Sequence, residues 1–190
     1  MNIDKAMLTE KTREWKRIML EADLPLWSDL PKLELYMDQV VMLLNEYLAY
    51  IYELNNDEKK VTASMINNYV KMKIIPAPNK KKYSRIHLSR LIIICSLKKC
   101  LNISIIQRIL PNTDDEKENE RIYNSFVKAR KKAVESEIKT IGEEFESVIS
   151  RDNSEEICDM VTKMAVSTDI HKMFTEKFTE TVFEKPTEKE

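Results

Sequence analysis

The 190-residue chain carries 31 Lys and Arg against 32 Asp and Glu, with 43% hydrophobic residues, one Gly, six Pro, three Cys and two His. That balance suits one compact domain or two small ones and excludes a disordered or membrane-embedded chain. A single Gly cannot supply the Gly-rich phosphate loops of nucleotide-binding folds or the many turns of a β-sandwich or barrel, so the expected class is all-α.

Residues 1–30 form the first expected unit, an N-terminal helical arm. Trp15, Ile18, Met19 and Ala22 stand near helical spacing, and Leu24-Pro25-Leu26-Trp27 breaks the pattern. Charged residues interrupt this stretch, so it lacks the unbroken apolar region of a secretory signal. The longest wholly apolar run, Leu91 to Cys95, is far short of the roughly 20 residues of a membrane span. A cytoplasmic location follows as the expectation. Cys95, Cys100 and Cys158 are odd in number and have no C-x-x-C spacing, which suits reduced thiols better than disulfides or a metal site.

From Pro31, Leu33, Tyr36, Met37, Val40, Leu44, Tyr47, Leu48 and Ile51 fall at three and four spacing, which predicts one long helix ending at Asn55-Asn56. Thr62 offers an N-cap to a helix running to about Lys73, with Ile66, Tyr69, Val70 and Lys73 on one face and Ser64, Asn67, Asn68 and Lys71 on the other. Pro76 to Lys82 reads as a bent loop or small hairpin, a basic protrusion. Ser84 can cap a helix with Leu88, Leu91, Ile92 and Cys95 inward. Ser104 with Gln107 reads as the capping box of a short helix ending at Pro111.

After Asp114-Asp115-Glu116 a helical pattern runs to about Ser150. Val134, Ile138, Ile141, Phe145 and Val148 follow a heptad-like spacing that suggests a partner helix, either in a second chain or within one chain. A last helical region carries Ile157, Val161, Met164, Met173, Phe174 and Phe178. The chain is thus divided into the arm (1–30), a central domain (31–111) and a helical dimerisation or regulatory region (112–190).

The charge is not evenly spread. Residues 1–60 hold 8 basic and 12 acidic side chains, residues 61–111 hold 10 and none, and residues 112–190 hold 13 and 20. A stretch with ten cations and no acid is the electrostatic footprint of a segment that lies against polyphosphate. Charge alone also fits a basic face serving the acidic thirds of the same chain.

Ile66 to Pro76, INNYVKMKIIP, resembles the recognition-helix signature of MerR-type winged helix-turn-helix regulators, roughly I-R-Y-Y-x-x-x-G-L-L-P. Tyr83-Ser84 resembles the Y-S that follows their wing, and Leu88 to Leu110 their next two helices. LPKLELYMDQV with MINNYVKMKIIPAP and KKYS is further similar to a bacterial family carried as a domain of unknown function, number 1836. Lys73 stands where the MerR pattern has Gly, the wing lacks Gly-Tyr-Arg, and the connection from Asn55 to Val61 is longer than a usual helix-turn-helix turn.

The resemblance implies a MerR-like winged helix-turn-helix with a C-terminal long-helix region, acting as a sequence-specific double-stranded DNA-binding transcriptional regulator. Repression is the expected sign of regulation. Ser64, Asn67, Asn68 and Lys71 would read bases, an Asn carboxamide being suited to adenine N6 and N7. Lys80, Lys81, Lys82, Tyr83 and Arg85 would meet phosphates. Val134, Ile138, Ile141, Phe145 and Val148 would seat a homodimer. No cofactor or membrane partner is expected, and no effector can be named. His87 and His171 lack the companions of a catalytic site. A helical protein–protein adaptor is the alternative reading, with RNA binding ranked below it for want of interleaved aromatics.

Overall fold

The computed structural model describes residues 4–111, 113–151 and 154–183, and they are mostly helical. Helix α1 (Lys5–Glu21) begins at Asp4, whose carboxylate accepts the Met7 N–H. A 3-10 turn at Trp27–Asp29 follows the Leu24-Pro25 break. Strand β1 (Leu35–Tyr36) then precedes helix α2 (Met37–Tyr47), and α3 (Ala49–Leu54) follows after an interruption at Leu48. Next come α4 (Ala63–Lys71), β2 (Lys82–Tyr83), α5 (Arg85–Leu97), α6 (Ile103–Ile109), α7 (Glu116–Ser150) and α8 (Ser154–Val182).

The expected helix from Pro31 is therefore shorter at its start. Leu35 and Tyr36 are extended because they pair antiparallel with Tyr83 and Lys82, and Leu33, counted in the apolar stripe, is 81% exposed. Gln39 Oε1 accepts the Tyr36 N–H and fixes the new helix start. The expected Ser104 capping box is also absent. Asn102 is the N-cap, its carbonyl accepting the N–H groups of Ile105 and Ile106, and Ser104 lies in the first turn. Of the three thiols only Cys95 is buried, whereas Cys100 and Cys158 are exposed.

The core has α5 at its centre. Every residue from His87 to Cys95 is buried, so this helix is surrounded by neighbours rather than laid on a surface, and it packs on α2, α6, α7 and β2. One continuous cluster of buried apolar side chains runs from Leu24 to Val127 and includes Trp27, Val40, Leu44, Ile66, Leu91, Ile106 and Tyr123. It takes in the end of the N-terminal segment and the first turns of α7.

Polar side chains lock these outer pieces onto the core. The Tyr123 hydroxyl donates to the Pro25 carbonyl at 2.9 Å, and Asn124 Oδ1 accepts the Trp27 N–H at 2.9 Å. Arg130 donates to the Ala22 carbonyl at 2.6 Å while its guanidinium lies 4.3 Å from the Tyr50 ring centre. Buried Arg90 donates to Asn119 Oδ1 at 3.0 Å and to the Thr113 carbonyl, and Asn119 itself donates to Thr113 and Asp115 carbonyls. The connection from α6 to α7 is thereby tied to α5.

A second, smaller cluster sits at the far end of α7, where Phe145 and Val148 meet Ile157 and Met160 of α8 and Leu8 of α1. Gly142, the only glycine, lets Lys16 of α1 cross α7 closely, since a Cβ there would come 2.7 Å from Lys16 Nζ. Among the described residues no helix is long and apolar enough to cross a membrane.

Two predictions follow from this packing. Asn45 on α2 donates to the Val41 and Val61 carbonyls at 2.9 and 3.0 Å, and its Oδ1 accepts the Val61 N–H at 2.8 Å and the Tyr52 hydroxyl at 3.0 Å. Asn45→Ala removes the partner of the Val61 carbonyl and leaves the Val61 N–H only the longer bond to the Tyr52 hydroxyl at 3.3 Å. It should cost about 2–3 kcal/mol, read as a lower urea midpoint with an unchanged slope.

His87 is buried, and burial first of all holds its imidazole below the ordinary value of 6.5. Its Nδ1 accepts the Ser84 N–H at 3.1 Å, which leaves the ring proton on a buried Nε2 that has no hydrogen-bond partner. A histidine neutral in the fold and protonated in the unfolded chain contributes stability that is full above the unfolded value of 6.5. That contribution is lost as pH falls through the depressed folded value. Melting temperature should be flat above about pH 6.5 and drop as pH falls below it, and His87→Gln should flatten that drop.

Candidate nucleic-acid interface

Helix α4 is positioned at both ends by local chemistry. Thr62 Oγ1 accepts the Met65 N–H at its start, and Val61, immediately before, is held through both its N–H and its C=O by Asn45. At its end the Lys73 N–H bonds the Val70 carbonyl at 2.9 Å and the Ile74 N–H bonds the Tyr69 carbonyl at 3.0 Å, the paired bonds of a Schellman cap. That cap requires a left-handed residue, and Lys73 supplies it at φ 56°. The MerR-like pattern has Gly at this position, so the backbone demand is met here by a lysine, which also puts a cation at the helix end.

The four side chains expected to face bases lie on one surface. Ser64, Asn67, Asn68 and Lys71 are all exposed and span an arc of roughly 100° at 100° per residue. Opposite them Ile66 is fully buried and Tyr69 and Val70 are half-buried against the core. Tyr69 is a packing residue, its phenol pushed up to about 12 by burial.

The basic protrusion between Pro76 and Tyr83 is closed by a tight turn. Lys80 and Lys81 both have positive φ, 47° and 65°, and the Lys82 N–H bonds the Asn79 carbonyl at 2.8 Å, which is the type I′ geometry that matches strand twist. This turn delivers Lys82 and Tyr83 to the pairing with β1. Lys80 and Lys81 stand exposed at its tip, and the Lys82 ammonium lies 5.6 Å from the Tyr36 ring centre.

Two residues expected to meet phosphates face inward. Tyr83 is 3% exposed, edge-on to His87 with ring centres 5.5 Å apart, because the strand pairing turns it into the core. Arg85 stacks over the Trp27 ring at 5.4 Å and lies 3.9 Å from Glu116, with most of its side chain covered. The Trp27 ring and Glu116 hold it there, while its Nε and Nη2 are buried without a hydrogen-bond partner.

The acid-free stretch divides into two sets of cations. Arg85, Arg90, Lys98 and Lys99 serve the same chain: Arg90 reaches Asp114 at 3.7 Å, and both lysines reach Glu58 at 3.8 and 3.3 Å. Lys71, Lys73, Lys80, Lys81 and Lys82 have no ion pair within 4 Å among the described residues. Lys73, expected on the face of Ile66, Tyr69 and Val70, is instead exposed because the helix ends at Lys71 and Lys73 turns left-handed, and neither it nor the exposed Arg108 is among the expected DNA contacts. Together with Lys71 and Arg90 they line an open cleft of about 1050 Å³ between the end of α4, α5, α6 and Phe183. Lys73 could have been flagged from its place at a position that wants Gly.

The dimer seam expected on α7 is largely occupied. Phe145 and Val148 are buried by Ile157 and Met160 of α8, with Leu8 and Ile141 packed alongside, and Val134 and Ile138 are half-buried. The helical hairpin within one chain accounts for the C-terminal part of that pattern.

The lysine turn yields a test. A left-handed conformation costs a non-glycine residue about 1–2 kcal/mol, and Asn-Gly is the pair that type I′ turns favour. Lys80→Asn with Lys81→Gly should therefore raise unfolding stability by about 1 kcal/mol, seen as a higher urea midpoint; a lower midpoint would contradict the turn assignment.

No curated protein and no solved structure matches the chain. The family model described as Domain of unknown function (DUF1836) matches residues 25–126, more than half of the 190 residues and nearly the same span as the Leu24-to-Val127 core. The chain belongs to the DUF1836 family.

Proposed function

We propose that this protein is a sequence-specific double-stranded DNA-binding transcriptional regulator, built as a MerR-like winged helix-turn-helix and acting as a homodimer, with repression as its sense of regulation. The observation that carries the reading is the outward face of α4: Ser64, Asn67, Asn68 and Lys71 exposed together on a short, doubly capped helix, within a stretch that holds ten cations and no acid. The order of elements supports it in part, since α2 and α3, a connection, α4, the lysine turn leading into β2, and α5 follow one another, while the strand that pairs with β2 comes from before α2.

In this reading α4 enters the major groove. Asn67 and Asn68 bond adenine N6 and N7, which makes the protein dependent on A·T pairs in each half-site. Lys80, Lys81 and Lys82 meet phosphate oxygens and set affinity rather than sequence preference. Tyr83 and Arg85 act from behind, the first by holding the strand pair and the second by bracing Trp27. A dimer places two such helices on two half-sites. The competing reading, a helical adaptor without DNA binding, draws on the bare apolar residues of α8.

Fluorescence anisotropy on a pool of duplexes that includes the DNA upstream of the protein's own gene, titrated with salt, separates the two. The regulator should prefer one fragment and lose affinity steeply, by about 0.9 in log–log slope for each phosphate contact. Replacing Asn67 and Asn68 together by Ala should level the affinities for cognate and scrambled duplex, at about 1–3 kcal/mol per lost base contact. Replacing Lys80 and Lys81 by Ala should weaken both duplexes alike and reduce the slope. Absence of duplex binding even at low salt would give the adaptor reading the lead.

A further inference from the structure

The open cleft of about 1050 Å³ at the end of α4 concentrates positive charge. Four cations line it, Lys71, Lys73, Arg90 and Arg108, against one acid, Asp114, and that acid already lies 3.7 Å from Arg90. Lys71, Lys73 and Arg108 are exposed and have no ion pair within 4 Å among the described residues. Glu180 of α8, on the Arg108 side, is engaged with Lys177 at 2.8 Å.

Arg90 gives the cleft a fixed floor. It is 6% exposed and is held by Asn119 through Nε and by Thr113 through Nη2. Its Nη1 has no hydrogen-bond partner among the described residues and is not sealed from solvent. A guanidinium tethered on two nitrogens with the third free is a preorganised donor, because its orientation is set before anything binds. The walls are apolar, with Val70, Ile74, Leu110, Pro111 and Phe183 among them. Small-molecule sites enclose about 300–1,000 Å³ and combine such walls with a few fixed polar groups. A duplex backbone runs across a surface and does not bring a phosphate to a side chain this covered, whereas the end group of a small molecule can enter.

We infer that this cleft is a binding site for a small organic phosphate, a phosphate monoester carried on an apolar or aromatic body. Such a group bears about −1.5 to −2 charge at pH 7 and three strong acceptor oxygens, which suits a lining where cations outnumber acids four to one. Arg90 Nη1 takes the phosphate from the floor, Lys73 and Arg108 take it from the rim, and the body lies against Leu110 and Phe183. The site is argued from the cleft alone and goes beyond the DNA-binding reading. It meets that reading at one residue. Lys71 belongs both to the cleft and to the outward face of α4, so an occupant and a duplex compete for it.

Titration calorimetry of the full chain at constant ionic strength tests the site without DNA, with phenyl phosphate, inorganic phosphate and benzyl alcohol as probes. Phenyl phosphate should bind one to one and about tenfold or more tighter than inorganic phosphate, and benzyl alcohol should not bind, since the charge and the apolar body are both used. Lys73→Gly with Arg108→Gln should weaken phenyl phosphate about tenfold or more. Glycine suits the left-handed position of Lys73, so the cap of α4 is kept, and an unchanged urea midpoint checks the fold. Lys128→Gln with Lys139→Gln removes as much charge from exposed positions on α7 and should leave phenyl phosphate binding as it is. No binding of phenyl phosphate, equal binding of inorganic phosphate, or an equal loss in the two double variants would each overturn the site. In fluorescence anisotropy phenyl phosphate should also weaken duplex binding. An unchanged duplex affinity would overturn the shared use of Lys71. That arm alone rests on the DNA-binding reading, so a chain that binds phenyl phosphate and no duplex would sink that reading and leave the site standing.

Discussion

The placement of α4 hangs on one side-chain amide. Asn45, on the inner side of α2, bonds both the N–H and the C=O of Val61, as a neighbouring strand would, and takes the Tyr52 hydroxyl as well. Val61 is the residue before the Thr62 cap, so the clamp fixes the point in space from which α4 departs. The residues from Asn55 to Val61 can be as long as they are because only their last peptide unit has to be held. A helix-turn-helix with a short turn gets its angle from the turn. Here the angle comes from a carboxamide anchored on α2.

Around that anchor the core is organised by burial on every side of α5 rather than by stacked layers. A helix surrounded in this way must give its few polar side chains internal partners; Arg90 has them, and His87 has them at Nδ1 but not at Nε2. Arg90 draws the Thr113 carbonyl, Asn119 and Asp114 together, so the chain leaving α6 is turned into α7 against the central helix. His87 closes the first turn of α5 onto Ser84 while its ring supports Tyr83. The strand pair, the outward lysine turn and the central helix therefore form one mechanical unit, and it lies within the span that the family model matches.

Most of the helices were legible from periodicity and caps. Thr62, Ser84 and the Asp115 boundary of α7 mark helix starts where the residues say they should, because a side chain that satisfies orphan N–H groups is a local signal. Leu33, Leu35 and Tyr36 misled because an apolar residue in an extended segment contributes to a three-and-four pattern as readily as one in a helix. Only the pairing with Lys82 and Tyr83, far along the chain, decides it. The exposed face of α4 was readable from the residues opposite it. The inward turn of Tyr83 and Arg85 was not, since it depends on Trp27 and His87 arriving from elsewhere. The seam on α7 was read correctly as apolar, while its cover, α1 and the start of α8, is a matter of tertiary arrangement.

The left-handed lysines have a thermodynamic side that concerns the chain before it folds. Where most proteins place glycine, Lys73, Lys80 and Lys81 keep a Cβ and so remove conformations from the unfolded ensemble, which offsets about 0.4–1 kcal/mol of the strain at each site. In a sequence with a single glycine this makes the denatured chain stiffer throughout than a glycine-rich one of equal length. The entropy surrendered at each turn on folding is correspondingly smaller. Positive charge can thus stand at the tips of sharp turns, where solvent and counterions reach it from all sides, at a modest net cost to the fold.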